Sequence, residues 1–494
     1  MVLGASLTKQ SMVLVSGRLI AFAVSMVLPI ILVRMLTREE YGLYREIFLI
    51  HITLMPIVQQ GIEQGLFYFI PRQPDKKRPI ILHTFLFVLI IGTVVLLGLF
   101  VFQDGVAGLF NVPAMASFVP VLAVHLCLSI YSSFVESCMI AEGRATLASL
   151  FTVGIQIATS AIILCAVFYD ASVMTLMYAN IGGSLVRLGF QLWYMKRSVG
   201  VSPRDFELPL FLAQLKFSAP LSVANIAWTL QTRIHNFFIS YLYDARTFAM
   251  YSIGVYQIPV FALIAGSVAS VMTPELARLR AKNDALSMLR VWNNAIRKMN
   301  LVILPACVYL FTVSFEFITL LFTREYLESV PIFQLSLVNF LIAGVNTGAV
   351  LQAYSETTFL MRLGILRLPV TIAIILPLIH YFGPGGAVAA NILSNMLFRY
   401  VELVRASRCL NIPVASSIAW RVNATIFGVA VASALPVVLL KAYSGWPPFT
   451  LLAVSGPVYL VVCGLLLVRT KVVEQHEVDA FKGYIGRKLG RTAS

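Results

Sequence analysis

Arg233 stands inside a long apolar segment beside a stripe of neutral polar side chains, and a guanidinium so placed is suited to holding an anion or an acid. Ser218, Ser222, Asn225, Thr229, Thr232 and Asn236 follow one another at spacings of 4, 3, 4, 3 and 4. In a helix that spacing keeps all six on one narrow face, with Arg233 and His235 flanking it. Such a stripe is too costly to expose to lipid, so it faces protein or a water-filled cavity. Two uses are open, hydrogen bonding between helices and the lining of a cavity, and Arg233 favours the second. Arg18 repeats the pattern in the first apolar segment, sharing a face with Ser11, Ser25 and Pro29. A charge at mid-helix costs about 2.5 to 3.5 kcal/mol, so it needs compensation, either from Glu63 or Glu136 in an ion pair or from a bound anion.

Arg187 and Arg399 lie 212 residues apart, each toward the end of an apolar segment expected to be cytoplasmic. They either snorkel to the headgroups or, facing inward, form an entry site for an anionic head. Glu63 with Gln60 and Gln64, and Glu136 with His125, Ser129 and Ser132, extend polar faces inward; they carry protons or cations, or neutralise arginines. His51, His83 and His380 have no evident partner and default to packing or interface positions. No cofactor or metal is expected. G-x-x-x-x-G-K-[ST] and H-E-x-x-H are absent, and the six cysteines form no Cys-x-x-Cys pair and read as packing residues.

The elements that position these groups are membrane helices. At 59% hydrophobic and 12% charged residues, with mean hydropathy +0.86, the chain cannot coat a soluble domain of 494 residues. Runs of about 20 apolar residues predict an all-α polytopic membrane protein of about fourteen helices. The chain also repeats itself: Tyr44 and Tyr251 lie 207 apart, Phe110 and Phe322 212 apart, and Ala179-Asn180-Ile181 returns 211 residues later as Ala390-Asn391-Ile392. The period predicts two pseudo-symmetric six-helix bundles, residues 1–200 and 201–412, then two further helices over 413–470 and a basic tail over 471–494. An even number of helices per half gives a parallel repeat, an arrangement suited to alternating access around a site between the halves. The net charge of +15 is concentrated in segments such as Arg72–Arg78, Lys196–Lys216, Arg278–Lys298 and the tail. Arg34, Arg38, Arg45, Arg246, Arg324 and Lys441 are read as the outer cations. That asymmetry places both termini in the cytoplasm and argues against a nucleic-acid partner. The charged stretch 274–299, with Trp292, reads as an amphipathic helix on the membrane surface.

Several short motifs resemble those of bacterial polysaccharide transporters, the O-antigen and exopolysaccharide flippases of the multidrug/oligosaccharidyl-lipid/polysaccharide exporter superfamily. They are Leu36-Thr37 with Tyr41-Gly42-Leu43-Tyr44, Leu215-Lys216-Phe217-Ser218-Ala219-Pro220, Thr273-Pro274-Glu275-Leu276-Ala277 and Leu321-Phe322-Thr323-Arg324-Glu325-Tyr326. The resemblance implies a multi-pass protein of the bacterial inner membrane that moves a polyprenyl-pyrophosphate-linked oligosaccharide between leaflets for surface polysaccharide such as lipopolysaccharide. Its implied partners are that lipid-linked substrate, membrane lipids and a glycan polymerase or other pathway protein. Where relatives often carry aspartate this chain has His235. Pyrophosphate would compensate Arg18, since a guanidinium grips paired oxygens as a fork. Substrate-binding candidates are thus Arg18, Arg233, His235, Asn225, Thr229, Thr232, Asn236, Arg187 and Arg399, with Glu63 and Glu136 for coupling or charge balance. The rival readings are a multidrug or lipid II exporter, and a membrane enzyme or scaffold of the glycan pathway. Outer loops too short to present catalytic groups argue against an enzyme.

Overall fold

The computed structural model describes residues 2–256, 258–343 and 347–473, without side chains at 2–13, 15, 60–64, 113, 220–221, 223–224, 259, 262 and 343. Among the described residues every regular element is helical. The first are α1 (Val2–Met35), α2 (Arg38–Arg72), α3 (Lys77–Val101), α4 (Gln103–Leu109), α5 (Val119–Tyr131), α6 (Val135–Ala141), α7 (Ala145–Tyr169) and α8 (Val173–Tyr194). Next come α9 (Leu208–Leu242), α10 (Ala245–Gly254), α11 (Pro259–Ala281), α12 (Ala285–Thr312), α13 (Ser314–Phe322) and α14 (Val330–Ala343). The chain closes with α15 (Gly348–Ala353), α16 (Thr357–Cys409), α17 (Val414–Ser417), α18 (Trp420–Ser444) and α19 (Pro448–Arg469).

Nine of the described helices are long and apolar enough to cross a membrane, so the expected count of fourteen is not reached by that measure. The reasons are local. Gly383, at φ 59° and ψ −144°, divides the 53-residue α16 into two arms that count as one helix, and of the 35-residue α9 only the shorter apolar stretch Leu208–Ala219 enters the count among the described residues.

Helix starts follow from capping chemistry. Thr37 Oγ1 accepts from the Glu40 N–H at 3.2 Å, and the Glu40 carboxylate accepts the Thr37 N–H at 2.9 Å. This reciprocal box begins α2. At the matching point of the repeat, 207 residues later, Asp244 accepts the Thr247 N–H at 2.9 Å and begins α10. Hydrogen bonds from Thr247 hold the Asp244 carboxyl below the usual carboxylate range, as Ser287 does for Asp284 ahead of α12. Tyr44 and Tyr251, 207 residues apart in sequence, are both buried, and the Tyr251 hydroxyl lies 2.7 Å from His235 Nδ1.

The chain forms two compact units, one of residues 1–252 with 364–372 and one of 253–363 with 373–494. The first unit therefore reaches past residue 200 and takes in α9, the opening helix of the second repeat. Within it α1 lies on α7, where Gly17 lets the backbones approach: a Cβ there would stand 1.9 Å from Ser149 Oγ. Helix α9 runs antiparallel along α2. Gly42 meets Ala245, Glu46 meets Ser240, Gly65 meets Ser218, and Tyr68 stacks on Phe217 at 4.4 Å.

The second unit is built around Trp292, which is fully buried among Met272, Leu276, Met288, Leu403 and Ala406. This corrects the surface-helix expectation for 274–299. The stretch is the end of α11 and the start of α12, and its indole is core. Helices α18 and α19 pack on α12, with Tyr459 Oη within 2.9 Å of the Pro305 carbonyl and 3.1 Å of the Ala430 carbonyl. Trp292→Ala is expected to cost about 3 to 5 kcal/mol, read as a lowered thermal midpoint of the purified protein, because no neighbour can refill an indole's volume.

Candidate functional site

The first unit gathers most of the candidate residues. Arg18 projects from α1 with 57% of its side chain exposed, and its Nη2 donates to Glu136 Oε1 at 3.1 Å. Of the two acids weighed as its partner, Glu136 makes the bond; the Glu63 side chain lies outside the described residues. Glu136 does not continue α5, because the chain breaks at 132–134 and restarts as α6. Such a half-exposed pair is worth under about 1 kcal/mol to stability, so it leaves the guanidinium available to other anions.

In the same unit a polar network joins α2, α5 and α8. His125 Nδ1 and Ser184 Oγ are 3.0 Å apart, Ser184 and Ser129 share a 3.0 Å hydrogen bond, and the His125 ring stacks on His51 at 4.7 Å. The 4 and 3 spacing that singled out His125, Ser129 and Ser132 thus marks a face turned into protein. Arg187, half-buried, follows Ser184 by one turn of α8 and interacts electrostatically with His51.

Helix α9 divides its stripe. Ser218, Thr229 and Asn236 are buried, whereas Ser222, Asn225 and Thr232 are half-buried. Ser222 and Thr232 hydroxyls donate back to the carbonyls of Ser218 and Thr229 at 3.1 and 2.9 Å. Interhelical bonding by the stripe is therefore slight among the described residues. His235 is buried, with Nδ1 on Tyr251 Oη at 2.7 Å, which ties α9 to α10. Arg233, two residues earlier and half-buried, feels the like charge of Arg45 on α2, so the two guanidinium groups repel. Arg399 belongs to the second unit, where its Nη1 donates to Thr347 Oγ1 and Glu402 Oε2, each at 2.9 Å.

Sequence reasoning missed Arg45, taken for an outer-loop cation. It lies well inside α2, and the Thr37-x-x-Glu40 box was the signal that could have placed it there. It also missed Glu46, wholly buried beside Ser240, and His83. The His83 ring accepts the Glu207 N–H on Nε2 at 2.9 Å, so Nδ1 carries the proton and donates to Gln214 at 2.9 Å. No titratable set with metal-ligand spacing occurs among the described residues.

A family profile described as polysaccharide biosynthesis protein matches residues 31–331, more than half of the sequence. The chain belongs to this family. Among solved structures it is similar to the lipid II flippase MurJ in an inward closed conformation, at TM-score 0.69 and 13% identity, covering 91% of this chain and 98% of that one. It is also similar to an inward-facing multidrug resistance MATE transporter of the MOP superfamily, at 0.62 and 15%, covering 78% and 98%. A MOP superfamily transporter from Pyrococcus furiosus, described by the reverse polarity of its binding pocket, matches at 0.59 and 16%, covering 82% and 95%. No match is found among curated proteins. The all-α fold of these transporters is thereby established for this chain, and with nine candidate spans among the described residues it is a multi-pass membrane protein.

Proposed function

We propose that this protein is a flippase that carries a polyprenyl-pyrophosphate-linked oligosaccharide from the cytoplasmic to the outer leaflet of the bacterial inner membrane, for O-antigen, exopolysaccharide or similar surface glycan. Both termini face the cytoplasm. The two repeats rock to give alternating access to a cationic cavity. The observation that carries this reading is the half-exposed Arg18, with Arg233, Arg45 and Arg187 in the same unit, in a chain of a polysaccharide biosynthesis family. Guanidinium forks suit the paired oxygens of pyrophosphate, while the polyprenyl tail stays in lipid. Arg399, cytoplasmic in this topology, helps the anionic head enter, and the half-buried Asn225 and Thr232 offer hydrogen bonds to the sugar.

The chain is not an enzyme in this reading. Turnover draws on the substrate gradient and on the inside-negative potential, which favours outward movement of pyrophosphate by about 2.3 kcal/mol per charge per 100 mV. A multidrug exporter is the weaker alternative, because the same arginines repel cationic drugs.

The test is mass spectrometry of polyprenyl-linked glycans in a strain lacking this gene and in its complement. Complete lipid-linked repeat units should accumulate while surface polysaccharide is lost, and complementation should reverse both. Unchanged lipid-linked glycans and surface polymer, in a strain with no second flippase, would overturn the assignment.

A further inference from the structure

Glu46 is completely shielded from solvent, 0% exposed, at the point where the outer half of α2 meets the last turn of α9. Its Oε1 accepts from Ser240 Oγ at 2.7 Å, and Ser240 is equally buried. Its Oε2 is buried with no hydrogen-bond partner. Among the described residues no ion pair reaches it. The charged group that acts on it from the α9–α10 turn is Asp244, which is also acidic. Of the other titratable groups on the packed helices, Arg45 faces the like charge of Arg233, Tyr44 is buried, and His51 stacks on His125.

An ionised carboxylate in this setting would be a bare buried charge, whereas the neutral acid leaves one hydroxyl unpaired, a far smaller penalty. Around it the seam is tight, since a Cβ on Gly42 would stand 1.8 Å from the Ala245 carbonyl oxygen. Water reaches Glu46 only when α2 and α9 part.

We propose that Glu46 is a proton-binding site of the seam between α2 and α9, which closes over the neutral acid and opens as the acid ionises. In closing, the carboxylate takes a proton from water on the outer face; in opening, it returns that proton to the same side. The closed form binds one more proton than the open form, so alkaline pH favours opening. Where the open form is ionised and the closed form is not, the ratio of closed to open should fall by about tenfold per pH unit. The proposal rests on the alternating-access reading but not on the glycan assignment.

The test uses the full chain in lipid nanodiscs without substrate, so loss of the glycan assignment would show in the glycolipid measurement and not here. Infrared difference spectra between about pH 5 and about pH 9 should show the carbonyl band of a protonated carboxyl persisting above the ordinary range. The band should vanish in Glu46→Gln. In Ser240→Ala, where the carboxylate loses its hydrogen-bond donor, it should persist to higher pH still. Spin labels at Glu39→Cys and Tyr241→Cys, both exposed positions, with the exposed Cys165 replaced by serine, should report opening with rising pH. Glu46→Gln should stay closed throughout. No such band, a band that survives Glu46→Gln, or the same pH-dependent opening in Glu46→Gln would overturn the proposal.

Discussion

Arg18→Gln is expected to lower export of lipid-linked glycan by about ten- to a hundredfold, and Arg18→Gln with Arg233→Gln to abolish it, at unchanged protein levels. A hydrogen bond to a charged group contributes about 1.5 to 3 kcal/mol, and two such donors removed together leave a pyrophosphate poorly held. The pair with Glu136 does not confound the result, because Arg18 is more than half exposed and the pair adds little to stability. Glu136→Gln separates the roles. If the arginine only paired with its acid, the two substitutions would be equally harmful. If it grips substrate, Glu136→Gln leaves the guanidinium in place and export falls by only about twofold. Surface polysaccharide and accumulated lipid-linked glycan, quantified in one complemented deletion strain, read both outcomes.

Gly42→Ala is expected to destabilise the first unit by about 3 kcal/mol, a large fraction of what a domain has to lose. The added methyl would stand 1.8 Å from the Ala245 carbonyl oxygen and 2.5 Å from its carbon. Both are backbone atoms at the start of α10, so relief requires α2 and α10 to separate. Gly17→Ala makes a useful contrast. Its methyl meets the rotatable Ser149 hydroxyl first, at 1.9 Å, with the Ser149 Cα no nearer than 3.3 Å. Its cost should be smaller and partly relieved by Ser149→Ala. Thermal midpoints of the variants in lipid decide the order, and a Gly42→Ala protein as stable as the parent would mean that the seam yields readily at the Gly42–Ala245 contact.

Much of the architecture could be read from periodicity and punctuation. Thr37 and Asp244, paired by the sequence period, both cap helices, and the similarly paired Tyr44 and Tyr251 are both buried. What could not be read is how helices of different repeats pair. Helix α9 is the first element of the second half by period, yet it packs along α2, because complementarity between two helix surfaces leaves no trace in the spacing of either one. For the same reason the face of the polar stripe was legible while its use was not. Spacing shows that Ser218, Thr229 and Asn236 align, not that these three are buried. Trp292 misled in a different way: charges around it suggested a surface helix, and only the tertiary core around α11, α12 and α16 shows that the indole turns inward. His83 and Glu46 depend on partners more than a hundred residues away, a distance that single-chain patterns do not bridge.

The antiparallel run of α9 beside α2 and α3 carries its hydrogen bonds and ion pairs, among the described residues, at the two ends. Glu46 and Ser240 form one end; Lys76 with Glu207, at 2.7 Å, and His83 with Gln214 form the other. Between them the described contacts include the close approach of Gly65 to Ser218 and the stacking of Tyr68 on Phe217, packing of a kind that lipid tails can also supply. Opening such a pair from one end is therefore closer to undoing a clasp than to unzipping a row of teeth. On the opening proposed above, the polar contacts that must break lie at the two ends of the helix pair, so parting either end exposes its clasp to water before the rest of the seam has moved.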